Sequence, residues 1–445
     1  MRLKTALVGG LFDRFTYEIP LKLNERITII HGPNGFGKTM ILRMIEGFFK
    51  ASNAALRRLP FRELHLVFDN GESVSVVRTV TKPTAGSERG GGTICFSHHG
   101  GATDTDTFTP RPDTRPEQLP IPIGSIENLI DDLDQVGPQS WRQRSTGEIL
   151  SLNDVLADYS EHLPIGPQSQ ESDTPGWLRD IRLAVPVRFI NTERLYTPLT
   201  RRESRHFPVQ SREPAVRRYA QQLGEIVKQT LAEYGTLSQS LDRTFPARLV
   251  AEPERSDVTM ESLRSRLAEI EGKRARLVEA GLLGREPEQW GGQFLAQVDE
   301  TKRSVLSVFA QDAERKLCVF DKVLAKVDLF KKIINGRFIY KGVTVNQNGF
   351  QVVNANGTPL DPGVLSSGEQ HELVLLYELL FRTSDNTLIL IDEPELSLHI
   401  AWQEAFLNDL AQMAQLSRFD AIIATHSPQV IGDRWDLTVE LKGPK

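Results

Sequence analysis

The segment Gly32-Pro33-Asn34-Gly35-Phe36-Gly37-Lys38-Thr39 fits the pattern GxxxxGK[ST]. Glycines let such a loop wrap until its backbone N–H groups converge on phosphate. The helix that follows aims its positive end at the same point, and Lys38 would neutralise β- and γ-phosphate charge. Thr39 would offer its hydroxyl to Mg²⁺. Far downstream, the apolar run Leu388-Ile-Leu-Ile391 ends in Asp392-Glu393-Pro394. It reads as a buried strand of a parallel sheet, whose carboxyl end is where α/β folds place ligands. Asp392 can hold the Mg²⁺ shell there. Glu393 suits a base or positioner for an attacking water, because phosphoryl transfer needs a metal and an oriented nucleophile. The alternative is an acidic strand end serving as a solvated turn.

Two shorter segments carry further signals. Leu365-Ser366-Ser367-Gly368-Glu369-Gln370 opens a helical pattern through Leu373, Leu376, Tyr377, Leu380 and Phe381. Small hydroxyl residues at a helix N-terminus bind phosphate; taken alone, they are an N-cap. Ala421-Ile-Ile-Ala424-Thr425-His426-Ser427 ends another apolar strand in a histidine, which could touch a γ-phosphate or serve as a capping or core residue.

Around these residues, Arg26-Ile-Thr-Ile-Ile30 is rich in β-branched residues and stops at His31-Gly32-Pro33. Lys38 to Phe49 spaces Met40, Ile41, Met44, Ile45 and Phe48 for one apolar helix face. Strand, glycine loop and helix are therefore adjacent. Runs 63–68 and 73–80 alternate about Asp69-Asn70-Gly71, which predicts a hairpin. Thr81 to Pro122 is rich in Gly, Thr, Asp and Pro without a sustained period and reads as a mobile loop. Its pair His98-His99 has no acidic or Cys partner at ligand spacing, so no metal site is expected there. Pro186 to Ile190 predicts another strand. Val216, Ala220, Leu223, Val227, Thr230, Tyr234, Leu237 and Leu241 then step by three and four, as do Met260, Leu263, Leu267, Ile270 and Leu277. Paired helices should form a short arm or lobe here, not a long rod. A third helical pattern runs from Phe294 to Phe330, and strands are predicted at Arg337-Phe-Ile-Tyr340 and Gln351-Val-Val353.

The chain has 445 residues, 39% hydrophobic and 25% charged, which suits two or three compact units. Its two cysteines, Cys95 and Cys318, exclude a disulfide scaffold, a zinc ribbon and a CxxC hook, and fit a reducing, cytoplasmic setting. No apolar run reaches ~18 residues, so no membrane partner is expected. Net charge is −5, with acidic residues concentrated between Glu127 and Asp180 and arginines between Arg188 and Arg218. The basic stretch reads either as a DNA contact or as a solvated face paired with the acidic segment.

Together the four motifs resemble the ABC-type ATPase superfamily, in the branch holding SMC-like, Rad50-like, RecF-like and OLD-type ATPases. AAA family ATPase subunits of bacterial anti-phage systems such as Septu and PARIS are similar. Motifs carry the resemblance over roughly 1–50 and 360–432, and layout alone over the middle. It implies an α/β fold: an ABC-type ATPase head, a mixed sheet with helices assembled from N- and C-terminal segments, with an inserted helical or short coiled-coil lobe. On that plan 1–80 is the N-terminal head lobe, 81–182 a loop-rich acidic insertion, and 183–212 a head strand and basic segment. The helical insertion is 213–333 and the C-terminal head lobe 334–445.

The resemblance also implies roles. Residues 32–39 would bind ATP, with Mg²⁺ on Thr39 and Asp392, and Glu393, His426 and Lys38 would be catalytic. Ser366, Ser367 and Gly368 would form the signature loop, with Ser366 and Gly368 contacting the γ-phosphate of an opposite subunit, and Glu395 to His399 the D-loop. Two heads would close face to face over two ATP molecules, as a homodimer or within a higher homo-oligomer. No glutamine stands at Asn191-Thr192-Glu193-Arg194, where the family's Q-loop belongs. Only 19 residues follow His426, too few for the nuclease that OLD-type proteins append. The expectation is a Mg²⁺-dependent ATPase switch that controls a separately encoded effector, a nuclease, in anti-phage defence. The alternative is a RecF- or Rad50-like DNA-binding repair ATPase. The size and position of the insertion argue against a transporter subunit.

Overall fold

The computed structural model describes residues 1–80, 92–100, 105–110, 123–127, 130, 133–143, 149–152, 155, 174–190, 214–251, 259–284 and 303–443. They divide into two compact units, one built from described residues of 1–190 and 383–443, the other from 214–382. The two ends of the chain fold together around an insertion, as the resemblance implies.

The first unit is organised by a five-stranded parallel sheet in the order β11 (Val187–Ile190), β15 (Leu388–Asp392), β16 (Asp420–Thr425), β3 (Ile27–His31), β17 (Thr438–Glu440). Its three central strands are buried on both faces, so their sequences run apolar without alternation. Helix α1 (Lys38–Phe49) follows β3 through the glycine loop and packs on this sheet, with α2 (Asn53–Arg58) and α3 (Gly176–Ala184) beside it. Helix α9 (Ile400–Ser417) forms the crossover from β15 to β16, and α10 (Pro428–Ile431) follows β16.

A second, antiparallel sheet has the order β2 (Phe15–Pro20), β1 (Leu3–Leu11), β4 (Glu63–Phe68), β5 (Ser73–Val80), β6 (Gly92–His99), β7 (Thr105–Phe108). One hydrophobic cluster runs through both sheets, taking Val8, Leu64 and Phe96 from the antiparallel sheet, Phe48 from α1, and Leu390 and Ile422 from the parallel one. Arg2 closes the join with a two-pronged bond to Asp420 at 2.7 Å and 2.5 Å, and the hydrogen-bonded carboxylate holds its pKa above the ordinary value. Arg182 of α3 lies against the Phe48 and Phe96 rings at 5.4 Å and 5.2 Å, and burial pushes its pKa down to about 10.

The expected loop over 81–122 is corrected within its described residues, because β6 and β7 lie there. Ile94 and Phe96 alternate toward the core and Phe108 packs against it, a short period hidden among glycine and threonine. His98 stacks on Trp177 at 5.1 Å. Among the described residues, no group of three or more His, Cys, Asp or Glu is placed to hold a metal. The acidic segment holds a small sheet of its own, β8 (Leu133–Gly137), β9 (Ser140–Gln143) and β10 (Ile149–Ser151), built over Ile126, Trp141 and Leu150.

The second unit contains α4 (Ala215–Ala251), α5 (Met260–Glu279), α6 (Arg303–Cys318), α7 (Asp321–Arg337), the sheet β12 (Lys341–Asn346), β13 (Gly349–Asn354), β14 (Pro359–Leu360), and α8 (Ser367–Phe381). Leu263, Leu267, Ile270 and Leu277 are buried, as their spacing predicts. Arg266 grips Glu314 at 2.9 Å and 2.8 Å, tying α5 to α6. The third helical pattern is two helices, broken at Val319-Phe320 where Phe320 is fully buried. The strand expected at Arg337–Tyr340 is also absent: α7 continues through Arg337, and Ile339 and Tyr340 are 73% and 82% exposed before β12 begins. Residues of high β-propensity had no face to bury. Gly349, at φ 111°, lies so close to α4 that a Cβ would fall 1.7 Å from the Ala220 carbonyl oxygen. The division between units falls after Arg382, inside the 334–445 lobe expected from sequence, because α8 packs on α4 and α7. Tyr219 of α4 stacks on Tyr377 at 4.7 Å and donates to Glu378 at 2.6 Å. Among the described residues, no helix is long and apolar enough to cross a membrane.

Candidate nucleotide site

Strands β3, β16 and β15 end side by side, and that edge gathers Lys38, Thr39, Asp392, Glu393 and His426. Gly37 caps α1 in the left-handed region at φ 86°, and a Cβ there would stand 2.4 Å from Leu11 Cδ2. Gly35 is left-handed too, but among the described residues nothing lies within 4 Å of its Cβ position. Pro33, Asn34 and Gly35 are exposed, while the Phe36 ring turns toward Phe15 at 5.3 Å. Lys38 is 5% exposed and folds back on its own loop, where Nζ donates to the carbonyls of Gly32 at 2.8 Å and Pro33 at 3.3 Å. Phosphate oxygens are charged and therefore stronger acceptors than these carbonyls, so loop and lysine fit the phosphates of a nucleotide.

Thr39 Oγ1 donates to Asp392 Oδ1 at 3.1 Å. Burial pushes the Asp392 carboxyl up; the Thr39 hydrogen bond opposes the shift, Glu393 adds to it, and Arg43 and Lys38 oppose it. A cation would ease the burial of that charge. Hydroxyl and carboxylate oxygens suit Mg²⁺, which completes its shell with phosphate and water oxygens. Glu393 takes a left-handed backbone, φ 42° and ψ 60°, locked by its N–H donating to Ala424 at 2.8 Å. Such conformations are strained for residues with a side chain and concentrate at functional sites. The turn leaves Glu393 Oε1 at 3.6 Å from His426 Nδ1.

In the sequence, Glu395 reads only as the first residue of a D-loop. In the structure its Oε1 accepts the Thr425 hydroxyl at 2.7 Å and the His426 backbone N–H at 3.1 Å, and lies 3.1 Å from His426 Nδ1. The one available signal was an acid two residues beyond Asp392-Glu393. Acids are commonplace in turns, so it pointed nowhere.

Ser366, Ser367 and Gly368 lie in the other unit, at the start of α8. Ser366 forms a reciprocal capping box with Glu369: the Glu369 N–H donates to Ser366 Oγ at 3.3 Å, and the Ser366 N–H to Glu369 Oε2 at 3.0 Å. Lys341 Nζ holds the same carboxylate at 2.9 Å and 3.0 Å. One turn along, Glu372 is buried in an ion pair with Arg337. Among the described residues, nothing lies within 4 Å of the Cβ position of Gly368. Within the basic stretch, 191–213 lie outside the described residues, and the expected Q-loop position with them. Arg188 sits on β11, and Arg217 pairs with Asp361, whose carboxyl it holds below the ordinary value.

No curated protein matches the sequence. Among solved structures, the chain is similar to the Smc head domain with an extended coiled coil bound to the C-terminal domain of ScpA from Pyrococcus furiosus (10% identity, 100% of this chain and 94% of that one, TM-score 0.34). It is similar also to the SMC head domain from Thermotoga maritima (12% identity, 97% and 91%, TM-score 0.30). Likeness of that order bears on neither function nor partner. Residues 187–432 match the family described as "AAA domain, putative AbiEii toxin, Type IV TA system". That match spans more than half of the sequence, and the chain belongs to this AAA family.

Proposed function

We propose that this chain is a Mg²⁺-dependent ATPase whose heads close on one another over ATP, and whose closed state controls a separately encoded nuclease in anti-phage defence. The observation that carries the reading is the Thr39–Asp392 hydrogen bond, which sets the phosphate loop against the acidic strand end. Lys38 and the loop amides hold the β- and γ-phosphates. Glu393 orients the attacking water and receives its proton on the carboxylate, with His426 beside it. Mg²⁺, when bound by Thr39 and Asp392, neutralises charge on the phosphate oxygens. Ser366 and Gly368 would meet the γ-phosphate in the opposite head; the open surroundings of Gly368 support that role. The family description names a putative toxin and a type IV toxin–antitoxin system, which is the setting of the defence reading and says nothing of a separate effector. Both cysteines are unpaired, in keeping with a reducing cytoplasm.

The purified chain should hydrolyse ATP only with Mg²⁺. Glu393→Gln should still bind ATP, lose turnover, and accumulate the closed dimer in light scattering. Turnover by that variant at the wild-type rate would remove Glu393 from the mechanism. Absence of any co-purifying neighbouring gene product in every nucleotide state would remove the effector.

A further inference from the structure

We infer that Glu395 is a positioning residue for His426, fixing which ring nitrogen carries the proton and which faces the reaction. The inference rests on His426 being the histidine that faces the γ-phosphate. Glu395 Oε1 is anchored from both sides of the strand end, by the Thr425 hydroxyl at 2.7 Å and the His426 backbone N–H at 3.1 Å. Its side chain is 7% exposed against 45% for His426, so the ring follows the carboxylate. Nδ1 faces two carboxylate oxygens, Glu395 Oε1 at 3.1 Å and Glu393 Oε1 at 3.6 Å. Ionised carboxylates cannot donate, and two of them lie within ion-pair distance of Nδ1, so their field favours the tautomer with the proton on Nδ1, Glu395 being the nearer and better anchored. Nε2 is then the nitrogen left for the γ-phosphate side.

A second feature sets Glu395 apart from an ordinary turn acid. Among the described residues, its buried Oε2 finds no hydrogen-bond partner. A buried, half-satisfied carboxylate is unfavourable for folding alone, and such groups in a native structure call for another explanation. Holding the imidazole supplies one. Glu395 acts through His426.

Three variants of the full chain test this. Glu395→Ala frees the ring to change tautomer and rotamer, and kcat should fall on the order of 10-fold or more, the scale at which outer partners of functional histidines act. KM for ATP should move less than about 2-fold, because the ring's task lies in the chemical step. Glu395→Gln keeps an oxygen acceptor and should restore most of the rate. Glu395→Ala combined with His426→Ala should be no slower than His426→Ala alone. A readout free of turnover is the ¹⁵N spectrum of histidine-labelled protein without nucleotide. The His426 ring, identified by its loss in His426→Ala, should show protonated Nδ1 in the wild type and a shift toward protonated Nε2 in Glu395→Ala. Should Glu395→Ala fail to fold, the kcat and ring spectrum of Glu395→Gln decide, since both should stay near wild type. Wild-type kcat in Glu395→Ala, multiplicative losses in the double variant, or an unchanged ring spectrum would each overturn the inference. A wild-type chain that does not hydrolyse Mg²⁺-ATP would overturn the ATPase reading instead, leaving the spectrum to judge Glu395 by itself.

Discussion

Thr39 and Asp392 stand 353 positions apart in the chain, and the hydroxyl of one donates to the carboxylate of the other at 3.1 Å. Parallel register brings them together: β3 and β15 flank β16, so the loop after one strand and the acid ending the other emerge at the same edge. Asp392→Asn keeps an acceptor for Thr39 and removes the charge. Calorimetry should show ATP bound without Mg²⁺ within about 2-fold of wild type, while Mg²⁺-dependent turnover falls on the order of 100-fold. Equal turnover would remove Asp392 from the metal shell.

Lys38→Ala should weaken ATP binding by roughly 10- to 100-fold, the worth of a hydrogen bond to a charged group. It also leaves the Gly32 and Pro33 carbonyls without the ammonium that now holds them, so the melting temperature should drop slightly. Fluorescent nucleotide titration and thermal melting read the two effects separately.

Gly35 and Gly37 share φ 86° but differ in surroundings. Gly35→Ala should cost about 1 kcal/mol, for the left-handed backbone alone. Gly37→Ala adds a clash with Leu11 and should cost a further ~1–3 kcal/mol in urea unfolding. Equal losses would mean that Leu11 yields freely.

Glu369 predicts a pH dependence. Burial pushes its carboxyl up, but hydrogen bonds from Lys341 and Ser366 outweigh that and leave it below its ordinary value of 4.5. A depressed carboxylate stabilises the fold above its unfolded pKa, and the contribution is lost as pH falls through the folded value. Glu369→Gln should therefore melt about 2–4 °C below wild type at neutral pH, with the gap closing as pH drops below 4.5. A gap that persists at lower pH would show that the box does not need the charge.

Legibility followed sequence distance. The glycine loop and α1 were readable because strand, loop and helix are consecutive, and β4 and β5 because only four residues separate them. Strands β6 and β7 were not, since their apolar residues are few and their pairing partners lie beyond the local window. Ser366 was readable as a cap because its partner Glu369 is three residues away.

By itself the sequence determined the glycine loop, the acidic strand end, the helical insertion and the family, all of which reside in short-range spacing and composition. Only the tertiary structure decided that Glu395 lies against His426, that Thr39 meets Asp392, and that the helix opened by Ser366 packs with α4 and α7. These depend on strand order and helix packing, in which residues become neighbours because their elements share a buried face. No spacing along the chain records that choice.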